Sequence, residues 1–127
     1  MLGSMEYATN YVGSKVVVVM GHTNCGAVKG ACAGVGSDNL KKLLNEIQPA
    51  VQKVDKTTAK DCKDSTFINN VIKQNVVNQV NGVYKGSPKI RKLVDSGDVL
   101  LVGAVHNLST DKVDFFYEHV AKSKKKK

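Results

Sequence analysis

The sequence predicts an α/β fold built on a short, largely parallel sheet flanked by helices. Three observations carry the prediction. Within Lys15–Met20, Val16 to Met20 is continuously apolar, its four valines are β-branched, and the run stops at Gly21, the pattern of a buried strand. Two amphipathic stretches of helical period fill the middle of the chain. A second apolar run, Val99 to Val105, follows them, so strands and helices alternate as they do in α/β proteins.

Ser4 is placed to cap a short helix reaching Val12, with Met5, Ala8 and Val12 on one side. Gly13-Ser14 ends it and the strand Lys15–Met20 follows, its unbroken apolar run predicting cover on both faces. Gly26 to Ala33 is rich in small residues and reads as a closely packed helix, broken by Gly34-Val35-Gly36-Ser37. Leu40, Leu43, Leu44, Ile47, Val51 and Val54 recur at helical spacing over Asp38 to Val54, where Pro49 bends or interrupts the helix. Asp55 to Thr66 is polar and reads as a loop or frayed helix. Ile68, Val71, Ile72, Val76, Val80 and Val83 then mark a further helix ending at Gly82 or Gly86. Ser87-Pro88 is a capped helix start and Ser96-Gly97 its close. Val99 to Val105 is the second strand and Val113 to Phe116, after the turn Asn107–Lys112, the third.

A chain of 127 residues suits one domain, read here as residues 1–120 with a lysine-rich, disordered tail at 121–127. The net charge is +8, and Lys122, Lys124, Lys125, Lys126 and Lys127 supply five of those charges. The body is therefore only mildly basic, which argues against a nucleic-acid partner; a lysine tail is ordinarily a solvated end. No apolar stretch approaches the roughly 20 residues that span a bilayer, and the start lacks a basic region followed by an apolar core. Neither membrane nor secretion is expected. Three cysteines favour free thiols over a disulfide framework, and so a cytoplasmic address.

The chemistry concentrates in Gly21-His22-Thr23-Asn24-Cys25-Gly26, directly behind the first strand. Imidazole nitrogen and thiolate sulfur are the ligands that suit zinc, at roughly 2.0 and 2.3 Å, and open α/β sheets bind ligands at the carboxyl ends of their strands. His22 and Cys25 are the candidate metal ligands. A second reading makes Cys25, near a helix N-terminus, a thiol nucleophile with His22 as base; no orienting Asp or Asn can be assigned to it. Gly21 to Gly26 has the glycine spacing of a phosphate loop, but Ala27 and Val28 stand where the lysine and the Ser/Thr belong.

The same segment resembles the β-class carbonic anhydrases, whose second zinc motif follows a hydrophobic strand as G-H-[ST]-x-C-G. Gly3-Ser4-Met5-Glu6-Tyr7-Ala8 is similar to the family's preceding helix, commonly S-L-E-Y-A. Gly26-Ala27-Val28-Lys29-Gly30-Ala31 is similar to its continuation, and Asn75-Val76-Val77 to its long helix. Gly103-Ala104-Val105-His106-Asn107-Leu108-Ser109-Thr110 resembles its late strand and turn, usually G-x-x-Y-[DN]-L-x-[TS]-G. The resemblance reaches about Phe116. It lacks the family's earlier strand ending in C-x-D-S-R, which supplies a third zinc ligand and an Asp–Arg pair; the only arginine here is Arg91.

The resemblance implies zinc as cofactor, carbon dioxide and bicarbonate as ligands, and reversible hydration of carbon dioxide, a carbonate dehydratase (lyase) activity in which zinc lowers the pKa of bound water to about 7. It also implies an antiparallel final strand at a sheet edge, and a homodimer or larger oligomer. With one ligand and the Asp–Arg pair missing, activity is expected to be impaired and no catalytic residue is assigned. The alternatives are a non-catalytic remnant that folds and self-associates, and an interaction module using the basic tail. Cys32, about two helical turns or roughly 10 Å beyond Cys25, is expected to be a small core residue and Cys62 an exposed or half-buried thiol. His106 stands where the family often has tyrosine and reads as a structural substitution; His119 reads as a surface residue.

Overall fold

The computed structural model describes residues 1–119, so the tail assigned to 121–127 lies outside the described residues. The elements, in order, are α1 (Leu2–Glu6), continued by a π-helical stretch (Tyr7–Val12), β1 (Val16–His22), α2 (Gly26–Ala33), α3 (Asp38–Asn45), α4 (Gln48–Asp55), α5 (Ser65–Gly86), α6 (Pro88–Ser96), β2 (Leu100–His106) and β3 (Val113–Glu118). The strands lie in the order β1-β2-β3. β1 and β2 are parallel, Val16 opposite Leu100 and His22 opposite His106. β3 runs antiparallel to β2 with an irregularity at Gly103/Ala104. The expected small α/β sheet with an antiparallel edge strand is present.

α5 is the helix that organises the sheet. The Asp64 side chain accepts from the backbone N–H of Thr66 at 3.1 Å and caps its start. Phe67, Ile68, Val71, Ile72, Val76, Val80 and Val83 fall at helical spacing and are buried. They pack against Val17, Val19, Leu101 and Val105 in a single core. The helix approaches the strands so closely that a Cβ on Gly103 would lie 2.6 Å from Val76 Cγ1, and one on Gly21 3.0 Å from Ile72 and Val76 methyls. The two glycines are therefore packing residues. Phe67, Ile90 and Leu101 are fully buried, each contributing about 1.5–3 kcal/mol of transfer free energy. α6 starts at Ser87, whose hydroxyl accepts from Ile90 N–H at 3.2 Å, and ends at Gly97 in the left-handed region, φ 85°.

Three expectations need correcting. The first helix starts at Leu2 with Ser4 inside it, and Ser4 caps nothing. Asp38–Val54 is interrupted at Pro49 as expected, forming two helices, because Pro49 has no N–H to donate and is accommodated only in the first turn of α4. β1 extends to His22 and is not covered on both faces. Its exposure alternates, leaving Val16 at 49%, Val18 at 41% and Met20 at 50%. Leu100, Val113 and Phe115 are exposed as well, and the register places all of them with Val16, Val18 and Met20 on the sheet face turned away from α5.

The third correction concerns the cysteines. Cys32 and Cys62 form a disulfide with a Cα–Cα separation of 5.7 Å, and only Cys25 is a free thiol. The turn before α5 lies against the end of α2, a tertiary proximity that a sequence separation of 30 conceals. Cys32 is indeed in the core, but as half of a cross-link.

Candidate functional site

The candidate loop leaves the carboxyl end of β1. His22 is the last residue of the strand, and Thr23 N–H donates to the His106 carbonyl at 3.0 Å, prolonging the pairing with β2. The Thr23 hydroxyl accepts from Leu108 N–H at 3.0 Å, which fastens the loop to the β2–β3 turn. Asn24 has φ 57°, a left-handed conformation that asparagine tolerates. It reverses the chain so that Cys25, extended at φ −72° and ψ 117°, becomes the N-cap residue of α2. The Cys25 carbonyl accepts from Lys29 N–H at 3.1 Å, while its thiol makes no capping bond.

His22 Nδ1 lies 3.0 Å from the Thr23 carbonyl oxygen. A carbonyl oxygen only accepts, so this contact selects the tautomer with hydrogen on Nδ1 and leaves the Nε2 lone pair open. Backbone-anchored imidazoles of this kind are the usual metal-binding form. His22 is exposed and continues the outward series Val16, Val18, Met20; Cys25 is half-buried.

His106, opposite His22, has its Nε2 2.6 Å from Asp111 Oδ1 and so has its own partner across the β2–β3 turn. His119 is half-buried rather than on the surface, stacked on Tyr84 at 3.9 Å with Nδ1 3.1 Å from Asn81 Oδ1. Beside the candidate loop lie two clefts of about 480 and 330 Å³ that share Thr23, Asn69 and Asn107. Neither is lined by His22 or Cys25. Asn69 and Asn107 come from α5 and the β2–β3 turn, too far apart in sequence for any local pattern to have paired them.

An α/β chain with a His- and Cys-bearing loop behind a parallel strand defines the class; comparison with known proteins defines the family. The family model described as carbonic anhydrase matches residues 1–113. No curated protein matches the chain. Among solved structures, a tetrameric β-carbonic anhydrase of the filamentous ascomycete Sordaria macrospora superposes with a TM-score of 0.78 at 18% identity, covering 90% of this chain and 58% of that one. The Coccomyxa β-carbonic anhydrase in complex with acetazolamide gives 0.78 at 21%, covering 97% and 56%. The β-carbonic anhydrase CafA of Aspergillus fumigatus gives 0.74 at 18%, covering 90% and 54%. This chain belongs to the β-carbonic anhydrase family, and it spans a little over half the length of these solved relatives.

β-Carbonic anhydrases are zinc enzymes, and the donor set here can be tested for the metal. Catalytic zinc takes three protein ligands and leaves one position open. His22 and Cys25 suit two of them. Among the described residues no group of three or more His, Cys, Asp or Glu side chains assembles. Cys32 and Cys62 are consumed in their disulfide and His106 is engaged by Asp111. The described residues therefore do not fit a catalytic zinc site.

Proposed function

We propose that this protein is a β-carbonic anhydrase homologue carrying half of a zinc site, His22 and Cys25, and that one chain alone is impaired in the reversible hydration of carbon dioxide. The observation that carries this reading is the donor count. Two donors of the right chemistry share one anchored loop, and the described residues bring no third. A two-donor site holds zinc weakly, since each lost ligand and each lost orienting partner lowers affinity.

The orientation of the loop adds to it. His22 is on the sheet face where Val16, Met20 and Phe115 are exposed, an apolar surface of the kind that marks association sites. β1 is also an edge strand with unpaired backbone groups. Self-association through this face is the arrangement we assign to the protein.

The test is zinc per chain by elemental analysis of protein purified without added metal or chelator, paired with a carbon dioxide hydration assay. Zinc well below one per chain with no rate above buffer is the expected result. A value near one with turnover overturns the impaired reading and establishes a complete enzyme.

A further inference from the structure

We propose that the Cys32–Cys62 disulfide is a thiol-exchange site and that Cys62 is the sulfur attacked, by a small thiol bearing carboxylate groups. Access distinguishes the two cysteines. Cys32 is fully buried, whereas Cys62 is half-buried and lines the cleft of about 330 Å³. The charged residues lining that cleft are Lys29 and Lys63; the rest of its polar lining is Thr23, Asn24, Ser65, Asn69, Asn107 and Ser109. Lys29 Nζ donates to Asn24 Oδ1, which ties its ammonium to the candidate loop. The acids beside Cys62 in sequence, Asp61 and Asp64, do not line the cleft; Asp61 Oδ1 accepts from Lys63 N–H at 3.0 Å and Asp64 Oδ1 from Thr66 N–H at 3.1 Å. A cationic, hydrogen-bonding cleft ending on a disulfide sulfur concentrates anionic thiols over neutral or cationic ones.

The exchange is a balanced two-step displacement. The incoming thiolate bonds to Cys62 Sγ, the Sγ–Sγ bond breaks, and Cys32 leaves as a thiolate that takes a proton from water. A second small thiolate then attacks the small-molecule sulfur of the mixed disulfide. It releases the symmetric disulfide and leaves Cys62 reduced. The cross-link lost is the one between α2, which begins behind Cys25, and the turn entering α5. The site is separate from the zinc reading and stands without it.

The full chain, purified without reductant, is exposed to glutathione or to cysteamine at equal thiolate concentration, quenched by alkylation and digested with trypsin. Residues 16–29, 30–41 and 61–63 then report Cys25, Cys32 and Cys62 separately. The expected adduct is glutathione on 61–63 with an alkylated Cys32, formed roughly threefold or more faster than with cysteamine. A Lys29→Gln, Lys63→Gln double variant, followed by intact mass, is expected to lose that preference. An adduct on 30–41, equal rates for both thiols, a disulfide that resists glutathione until the protein unfolds, or two thiols already free in the native protein would each overturn the proposal.

Discussion

The hydroxyl of Ser87 donates to the carboxylate of Glu6, 81 positions earlier in the chain, while it accepts from the N–H of Ile90. One fully buried oxygen thus caps α6 and pins α1 against its start. Both bonds satisfy the hydroxyl where water cannot reach it. Ser87→Ala removes the cap and strands the Glu6 acceptor, so a loss of about 1–3 kcal/mol is expected in urea unfolding. A loss below about 0.5 kcal/mol, the ordinary range for surface changes, would show that the bond contributes little.

Self-association is expected to depend on the exposed sheet face. Met20→Asp or Phe115→Asp places a charge among apolar neighbours, where burial against another chain becomes costly. Sedimentation should show the protein associated and both variants shifted toward monomer with unchanged far-ultraviolet dichroism. A cooperatively folded, strictly monomeric unsubstituted protein would refute the assignment.

The disulfide closes a thirty-residue separation, which the chain-entropy account values at about 3.5 kcal/mol. Replacing both cysteines by serine is expected to lower the unfolding free energy by about 2–4 kcal/mol. Equal midpoints for the double variant and the oxidised protein would count against a formed cross-link in solution.

His22→Ala and Cys25→Ser should each reduce the zinc retained from a metal-supplemented preparation, read as metal per chain after desalting. The Nδ1 contact to Thr23 predicts that His22→Gln, which cannot present an imidazole nitrogen, fails to restore it. Unchanged metal content in both primary variants would remove the two residues as ligands.

Tyr84 donates to Asp95 at 2.7 Å, and this bond holds its phenol above the usual value of 10.0. Burial and the Asp95 charge push the same way, and Arg91 opposes them. A raised folded-state pKa means the stabilisation is fully present below the unfolded value and is lost as pH climbs through the folded one. Asp95→Asn should bring part of the phenolate absorbance in at lower pH. An unaltered tyrosine titration would show that the bond is not kept in solution.

Much of this architecture was legible locally. The apolar stripe from Ile68 to Val83 and the Ser87-Pro88 start declared α5 and α6 because period and capping are short-range signals. His22 and Cys25 were visible for the same reason, lying three residues apart in one loop. What failed were properties of distant packing. Val16-Val17-Val18-Val19 reads alike whether a sheet has one covered face or two, and only the tertiary structure shows that α5 covers one. Cys32 and Cys62 gave no local sign of each other. The Asn69–Asn107 cleft needs a helix and a turn that α6 and β2 separate in the chain.

The parallel pairing of β1 with β2 also dictates an order of events. Val16 to His22 find their hydrogen-bonding partners only in Leu100 to His106, so the first strand is synthesised long before the strand that receives it. Until then a valine-rich segment with two unpaired edges is exposed in the nascent chain. Such high contact order slows folding and favours premature association. The protein is thus expected to refold slowly and to lose yield steeply with concentration, with β1 as the segment that self-pairs first.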